Sequence, residues 1–174
     1  LALEMGGNNA LIVSSWVDLD AAAWTVVASS FLTSGQRCTA ARRLILLDTP
    51  GNRQLLDRVV AITSQLSIGN GLDDGVFMGP LVNPLICDQI LKYQSQCLSQ
   101  DAVSLLHAER RSGSMSLISP GIIDVSTVER VVDHEYFGPF LQVNWVNSHE
   151  AALAVAHDTA FGLSASVITV NADE

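Results

Sequence analysis

The chain has 174 residues, 48% apolar and 16% charged, and eighteen acids against nine bases leave a net charge of −9. That length supports one globular domain with a real core, since domains commonly hold about 100–150 residues. The acidic balance argues against a nucleic-acid partner, whose phosphates are neutralised by Lys and Arg, and no apolar run approaches the ~20 residues needed to cross a bilayer.

Three cysteines, Cys38, Cys87 and Cys97, make an odd count without a dense framework. This suits a reduced, cytoplasmic protein better than a secreted disulfide scaffold. The ten-residue steps from Cys87 to Cys97 to His107 match no common zinc pattern, so no metal is expected. Cys87 and Cys97 fall in a helical apolar pattern and are assigned to the core. The chain opens abruptly on apolar residues without a basic leader, and the expectation is one domain of a longer protein.

In chain order, Ala10-Leu11-Ile12-Val13 is a short strand, and 18–32 is a helix with Asp18 as N-cap and Gly35 beyond its end. Residues 43–47 form the next strand, bounded by a turn at Asp48-Thr49-Pro50-Gly51. The spacing of Leu55, Leu56, Val59, Val60 and Ile62 predicts a helix over 52–66. The glycine-rich stretch 69–75 is a loop, and 84–98 is helical. Strands are expected at 102–107, 117–125 and 140–146, then a helix over 148–157 capped by Ser148, and a last strand at 165–170. Strand–helix alternation of this kind specifies an α/β fold, a layered domain with a largely parallel sheet flanked by helices.

Chemistry concentrates in Ser34-Gly35-Gln36-Arg37-Cys38-Thr39, read with Leu3-Glu4-Met5-Gly6-Gly7 upstream. A cysteine is a strong nucleophile only as thiolate, and an unperturbed thiol with pKa about 8.5 is a few per cent ionised near neutrality. A carboxylate does not raise that fraction electrostatically, but it can take a proton, directly or through one water. Carboxylate, Gly-Gly and a Gly-flanked cysteine read as covalent catalysis with a separate general base. The plain alternative is that Cys38 is a buried thiol and Glu4 a solvated strand-end carboxylate.

Leu3-Glu4-Met5-Gly6-Gly7, Gly35-Gln36-Arg37-Cys38, Glu135-Tyr136-Phe137-Gly138-Pro139 and Asp158-Thr159-Ala160-Phe161-Gly162-Leu163 occur in this order, with 34 residues from Glu4 to Cys38. Together they resemble four signatures of the NAD(P)-dependent aldehyde dehydrogenase superfamily, across essentially the whole chain. The resemblance implies Cys38 as the nucleophile and Glu4 as the base that activates water. It implies Glu135 as the acceptor for the nicotinamide-side ribose hydroxyls of NAD, with NADP as the alternative. Phe137 would pack near the nicotinamide, and Gly6 and Gly7 would let the backbone approach cofactor and nucleophile. Residues 1–174 would then be the cysteine-bearing catalytic domain. The dinucleotide-binding domain and the C-terminal oligomerisation segment would lie outside it, and these residues alone are expected not to turn over aldehyde.

The runs Leu3-Glu4-Met5-Gly6-Gly7-Asn8-Asn9 and Gly35-Gln36-Arg37-Cys38-Thr39-Ala40-Ala41-Arg42-Arg43 are most similar to the N-succinylglutamate 5-semialdehyde dehydrogenase branch, which acts in bacterial arginine catabolism. That substrate is a dianion. Arg37, with Arg42 and Arg43 nearby, either faces it or pairs with one of the many carboxylates. A small-molecule aldehyde, no membrane and a homo-oligomer follow from the same resemblance. A reductive semialdehyde-forming relative and a non-catalytic oligomerisation module are the alternatives. His134 reads as a surface residue.

Overall fold

The computed structural model describes residue 1 and residues 5–171. Strands β1 (Asn9–Val13), β2 (Ala41–Leu47), β3 (Val103–Leu106), β4 (Gly121–Asp124), β5 (Phe140–Val146) and β6 (Ala165–Ile168) form one sheet in the order β3-β4-β5-β2-β1-β6. Neighbours run parallel except β3, which is antiparallel to β4. Helices α1 (Leu19–Phe31), α2 (Pro50–Ser64), α3 (Pro84–Leu98) and α4 (His149–His157) lie against it. The largely parallel layered architecture expected from the alternation is the one adopted.

Both faces of the sheet are covered, so its central strands are largely apolar, with Arg42, Arg43 and Gln142 as buried exceptions. Leu11, Val13, Leu44, Leu46, Leu141 and Val143 pack with α1 and α2 through Val26, Phe31, Leu55 and Val59. On the opposite face Ile123 and Phe140 meet α3 through Cys87, Ile90, Tyr93 and Cys97. Ala10, Ile12, Ile45 and Val146 meet α4 through Ala152. Leu44, Ile45 and Leu46 alternate between the faces as the period of two requires. Cys87 and Cys97 are core residues, and burial pushes both thiols up from their ordinary pKa.

Helix α3 and strand β5 fill the predicted ranges 84–98 and 140–146. Asp18 and Ser148 are the N-caps expected, accepting from the Ala21 and Ala151 N–H at 2.9 and 3.1 Å. Several boundaries differ. The predicted turn at 48–51 is in fact the start of α2: Thr49 caps it, accepting from Asn52 N–H at 3.1 Å, and Pro50 takes the first turn, where a missing N–H does no harm. The strand predicted over 117–125 is confined to Gly121–Asp124, because Pro120 has no N–H for the ladder. Residues 117–119 fold back instead, Arg111 N–H to Leu117 O at 2.9 Å and Ser119 N–H to Glu109 O at 2.8 Å. The last strand ends at Ile168, after which Val170 N–H donates to Ser15 Oγ at 3.1 Å.

Asp133, between β4 and β5, ties distant segments together. Its carboxylate accepts from Asn8 Nδ2 and Thr159 Oγ1, each at 2.8 Å, and from Ala160 N–H at 2.7 Å. Partial burial works against its charge, but the Ala160, Asn8 and Thr159 donors and Arg43 outweigh it and hold the pKa below the usual value. A depressed folded pKa means that the stabilisation is complete above the unfolded value of about 3.9 and is lost as pH falls through the folded one. Asp133→Asn should therefore be less stable than wild type at neutral pH, and the gap should narrow below about pH 4. Denaturant melts across that range check this, and a gap that stays constant refutes it.

Candidate active site

Beyond the last residue of α1 the backbone turns over into an uncommon conformation. Thr33 (φ 57°, ψ 33°), Ser34 (φ 57°, ψ 32°) and Gly35 (φ 67°) are successive left-handed residues. For a residue with a Cβ this region is disfavoured by roughly 1–2 kcal/mol, and a β-branched residue there is an outlier. Side chains and neighbouring backbone hold it in place. Gln36 N–H donates to Thr33 O at 3.0 Å, Arg37 Nε to Thr33 Oγ1 at 3.1 Å, and Ser34 Oγ to Gly79 O at 2.9 Å. Gln36 Oε1 accepts from Val82 N–H at 2.8 Å. A Cβ on Gly35 would stand 2.3 Å from Gly138 O, so glycine is required twice over, by conformation and by space.

Residues 37–40 form a turn closed by Ala40 N–H to Arg37 O at 3.1 Å, which puts half-buried Cys38 at its corner. Strand β2 then starts irregularly. Asn9 of β1 faces Ala41 while Ala10 faces Arg43, so Arg42 is an extra residue in the ladder, a bulge. Bulges re-aim side chains, and this one sends Arg42, 2% exposed, into the space between the sequence motifs.

Arg42 Nε donates to Gly7 O at 3.2 Å, and Nη1 to Gly35 O and Tyr136 O, each at 3.1 Å. Nη2 donates to Arg37 O at 2.9 Å and to Glu135 Oε1 at 3.3 Å. The guanidinium carbon sits 5.4 Å from the Phe137 ring centroid, within cation–π range. Burial lowers the Arg42 pKa from its ordinary value, and Glu135 pulls it back up.

Glu135 Oε1 also accepts from Gly7 N–H at 3.1 Å. A Cβ on Gly6 would lie 2.0 Å from Glu135 Oε2, and one on Gly7 would lie 2.8 Å from Cys38 O. Gly6, Gly7, Cys38, Glu135 and Phe137 are thus brought together around Arg42. Glu4 lies outside the described residues. Arg37 stands at the margin, exposed, beside a cleft of about 290 Å³ lined also by Ser29, Leu32, Thr39 and Ser164. Among the described residues it has no carboxylate partner. His134 is exposed and meets Tyr136 edge-on, while Tyr136 stacks on Tyr93 with ring centroids 4.1 Å apart.

Motif reading overlooked Arg42 as the centre of the site. The available signal was two adjacent arginines inside an apolar strand, since charged side chains are almost never fully buried unless paired. It also overlooked Asn9, whose Nδ2 donates to Cys38 O at 2.7 Å and Ala40 O at 2.9 Å.

Known proteins share this arrangement of chain. The sequence profile of the aldehyde dehydrogenase family matches residues 1–174. The chain is 45% identical over 177 residues to N-succinylglutamate 5-semialdehyde dehydrogenase of Vibrio cholerae serotype O1 (strain M66-2), covering all of this chain and 36% of that protein. It is 41% identical to the enzyme of that name from Ectopseudomonas mendocina (strain ymp), over 97% of this chain and 35% of the relative. It therefore spans about a third of the length of the curated relatives it matches. Among solved structures, PnpE from Pseudomonas sp. WBC-3 superposes with a TM-score of 0.89 at 30% identity, over 98% of this chain and 36% of that one. The 1-pyrroline-5-carboxylate dehydrogenase from Thermus with bound NAD gives 0.84 at 30% identity, over 98% and 33%. With a match that runs through every residue and a fold shared at this level, the chain belongs to the aldehyde dehydrogenase family.

Proposed function

We propose that this chain is the cysteine-bearing catalytic domain of an NAD(P)-dependent aldehyde dehydrogenase, cytoplasmic and homo-oligomeric as a whole protein. Its substrate would be a dianionic semialdehyde, N-succinylglutamate 5-semialdehyde. The observation that carries the reading is the convergence of Gly6, Gly7, the Cys38 turn and Glu135 on one buried guanidinium. The names borne by the relatives at 41–45% identity support the choice of substrate. Neighbours whose structures hold NAD or NADP support the choice of cofactor.

In this reading the Cys38 thiolate attacks the aldehyde carbon. A C–S bond forms, the carbonyl pair moves to oxygen, and the resulting oxyanion takes a hydrogen bond from the Cys38 N–H. A bound nicotinamide would supply the hydride acceptor for that carbon, and loss of the hydride would leave a thioester on Cys38. Glu4 then removes a proton from water as it adds to the thioester, and the carboxylate product departs with the thiol restored. Glu135 fits a vicinal diol. One carboxylate oxygen is anchored on Gly7 N–H and Arg42, and among the described residues the other accepts no hydrogen bond. Arg37, which has no ion-pair partner among the described residues and stands beside its cleft, suits a substrate carboxylate.

Two outcomes test these roles in the intact enzyme. Glu4→Gln should leave the first-turnover burst of reduced cofactor in place and slow steady-state turnover by about 10²–10⁴-fold, the usual contribution of a general base. Rapid-mixing kinetics reads both phases, and an unaltered steady state excludes Glu4 as the base. Arg42→Met removes one of the two donors to Glu135 Oε1 and takes a donor from four backbone carbonyls. The cofactor KM should rise, and stability should fall by about 3–5 kcal/mol, the range for breaking a buried ion pair. Unchanged cofactor KM in folded Arg42→Met protein would show that Glu135 needs no anchor.

A further inference from the structure

A turn closed by a single bond, Ala40 N–H to Arg37 O, is a weak platform for a nucleophile. Two of its other carbonyls, Cys38 O and Ala40 O, are held by one side chain. Asn9, 4% exposed at the head of β1, donates Nδ2 to Cys38 O at 2.7 Å and to Ala40 O at 2.9 Å, and its Oδ1 accepts from Ser164 N–H at 3.2 Å. These partners fix the orientation of the amide, because a flipped Asn9 would set an oxygen against two carbonyl oxygens and an NH₂ against an N–H. Space is reserved for it as well, since a Cβ on Gly7 would stand 2.6 Å from Asn9 Oδ1. The bonds also close the gap left by the bulge, since Asn9 supplies donors where the β1–β2 ladder shifts register.

In a trans peptide the carbonyl and the following N–H point opposite ways. Asn9 on Cys38 O turns the Thr39 N–H away from Asn9, and Arg42 on Arg37 O turns the Cys38 N–H away from Arg42. Among the described residues neither N–H has a protein acceptor. The carbonyl side of the turn is fastened, and its donor side is left for chemistry.

We propose that Asn9 is a positioning residue for the nucleophile, fixing the Cys38–Thr39 peptide so that thiol and turn N–H groups keep one geometry toward the reacting carbonyl. The proposal rests on the reading of Cys38 as the group that attacks the aldehyde. Asn9 lines the cleft beside Arg37, but both hydrogens of its Nδ2 go to Cys38 O and Ala40 O. It acts through the backbone of the turn.

The test uses the intact enzyme with Asn9→Ala, Asn9→Asp and Asn9→Ser, each normalised to its titratable Cys38 thiol. The burst rate per thiol should drop about 10²-fold in Asn9→Ala, the order expected when a reacting group is misplaced by ~1 Å. Asn9→Asp, which has the shape but no donor, should lose at least as much, and Asn9→Ser should recover part through its hydroxyl. Alkylation of Cys38 by iodoacetamide builds no oxyanion and should change little, as should the KM for the dinucleotide. A purely structural role would lower the melting temperature and the number of titratable thiols and leave the rate per thiol intact; that result overturns the proposal, whichever folded variant shows it. Cys38→Ser keeps the two readings apart. If it retains the burst, the nucleophile assignment itself fails; if it loses the burst while Asn9→Ala keeps it, only the positioning role fails.

Discussion

A guanidinium carries five N–H donors, and with 2% of its surface exposed Arg42 must satisfy them inside the protein. It does so with five acceptors: Gly7 O, Gly35 O, Tyr136 O, Arg37 O and Glu135 Oε1. Four are backbone carbonyls from three segments far apart in sequence, so one side chain sets the distances between them. Among the described residues the charge is compensated by a single carboxylate, which is itself fastened to Gly7 N–H. Because an unpaired buried donor is expensive, the segments cannot drift apart one at a time.

Arg43, the next residue, faces the other way with a different task. It donates to Asn8 O at 2.8 Å, Val155 O at 2.8 Å and Ala156 O at 2.9 Å. The last two are carbonyls of the final turn of α4, where a cation is favoured; Val155 O also accepts from the C-cap Asp158 N–H at 3.3 Å. The bulge makes this division possible. One arginine organises the motifs and its neighbour docks a helix on the sheet.

Much of the architecture was legible from the sequence because it follows from periodicity and caps. Residues 87, 90, 94 and 97 recur on one face of α3, and Asp18 and Ser148 mark helix starts by their side-chain oxygens. The grouping of Gly6, Cys38 and Glu135 was legible through the motifs, although nothing in local pattern places residue 135 beside residue 7. Left-handed Thr33 and Ser34 were not legible, since both residues usually avoid that region and are kept there by the tertiary bond to Gly79 with local bonds from Gln36 and Arg37. Nor was the bulge, because a one-residue shift in a parallel pair leaves the apolar run Leu44-Ile45-Leu46-Leu47 unaltered. The strand predicted over 117–125 is too long because its apolar run continues through Pro120, which cannot donate to the ladder.

The bond from Gly7 N–H to Glu135 joins residues 128 apart in sequence. The chain is made from its N-terminal end, so the Cys38 turn exists well before the segment that completes its surroundings. Closing so long a loop is entropically unfavourable, although each doubling of length adds only about 0.6 kcal/mol. Arg42 would meanwhile be a charge inside an apolar strand without its carboxylate, a mismatch that resists early consolidation of β2 and β1. The thiol's environment is therefore a late product of folding, and a chain halted before residue 135 carries the nucleophile without the carboxylate and carbonyls that frame it.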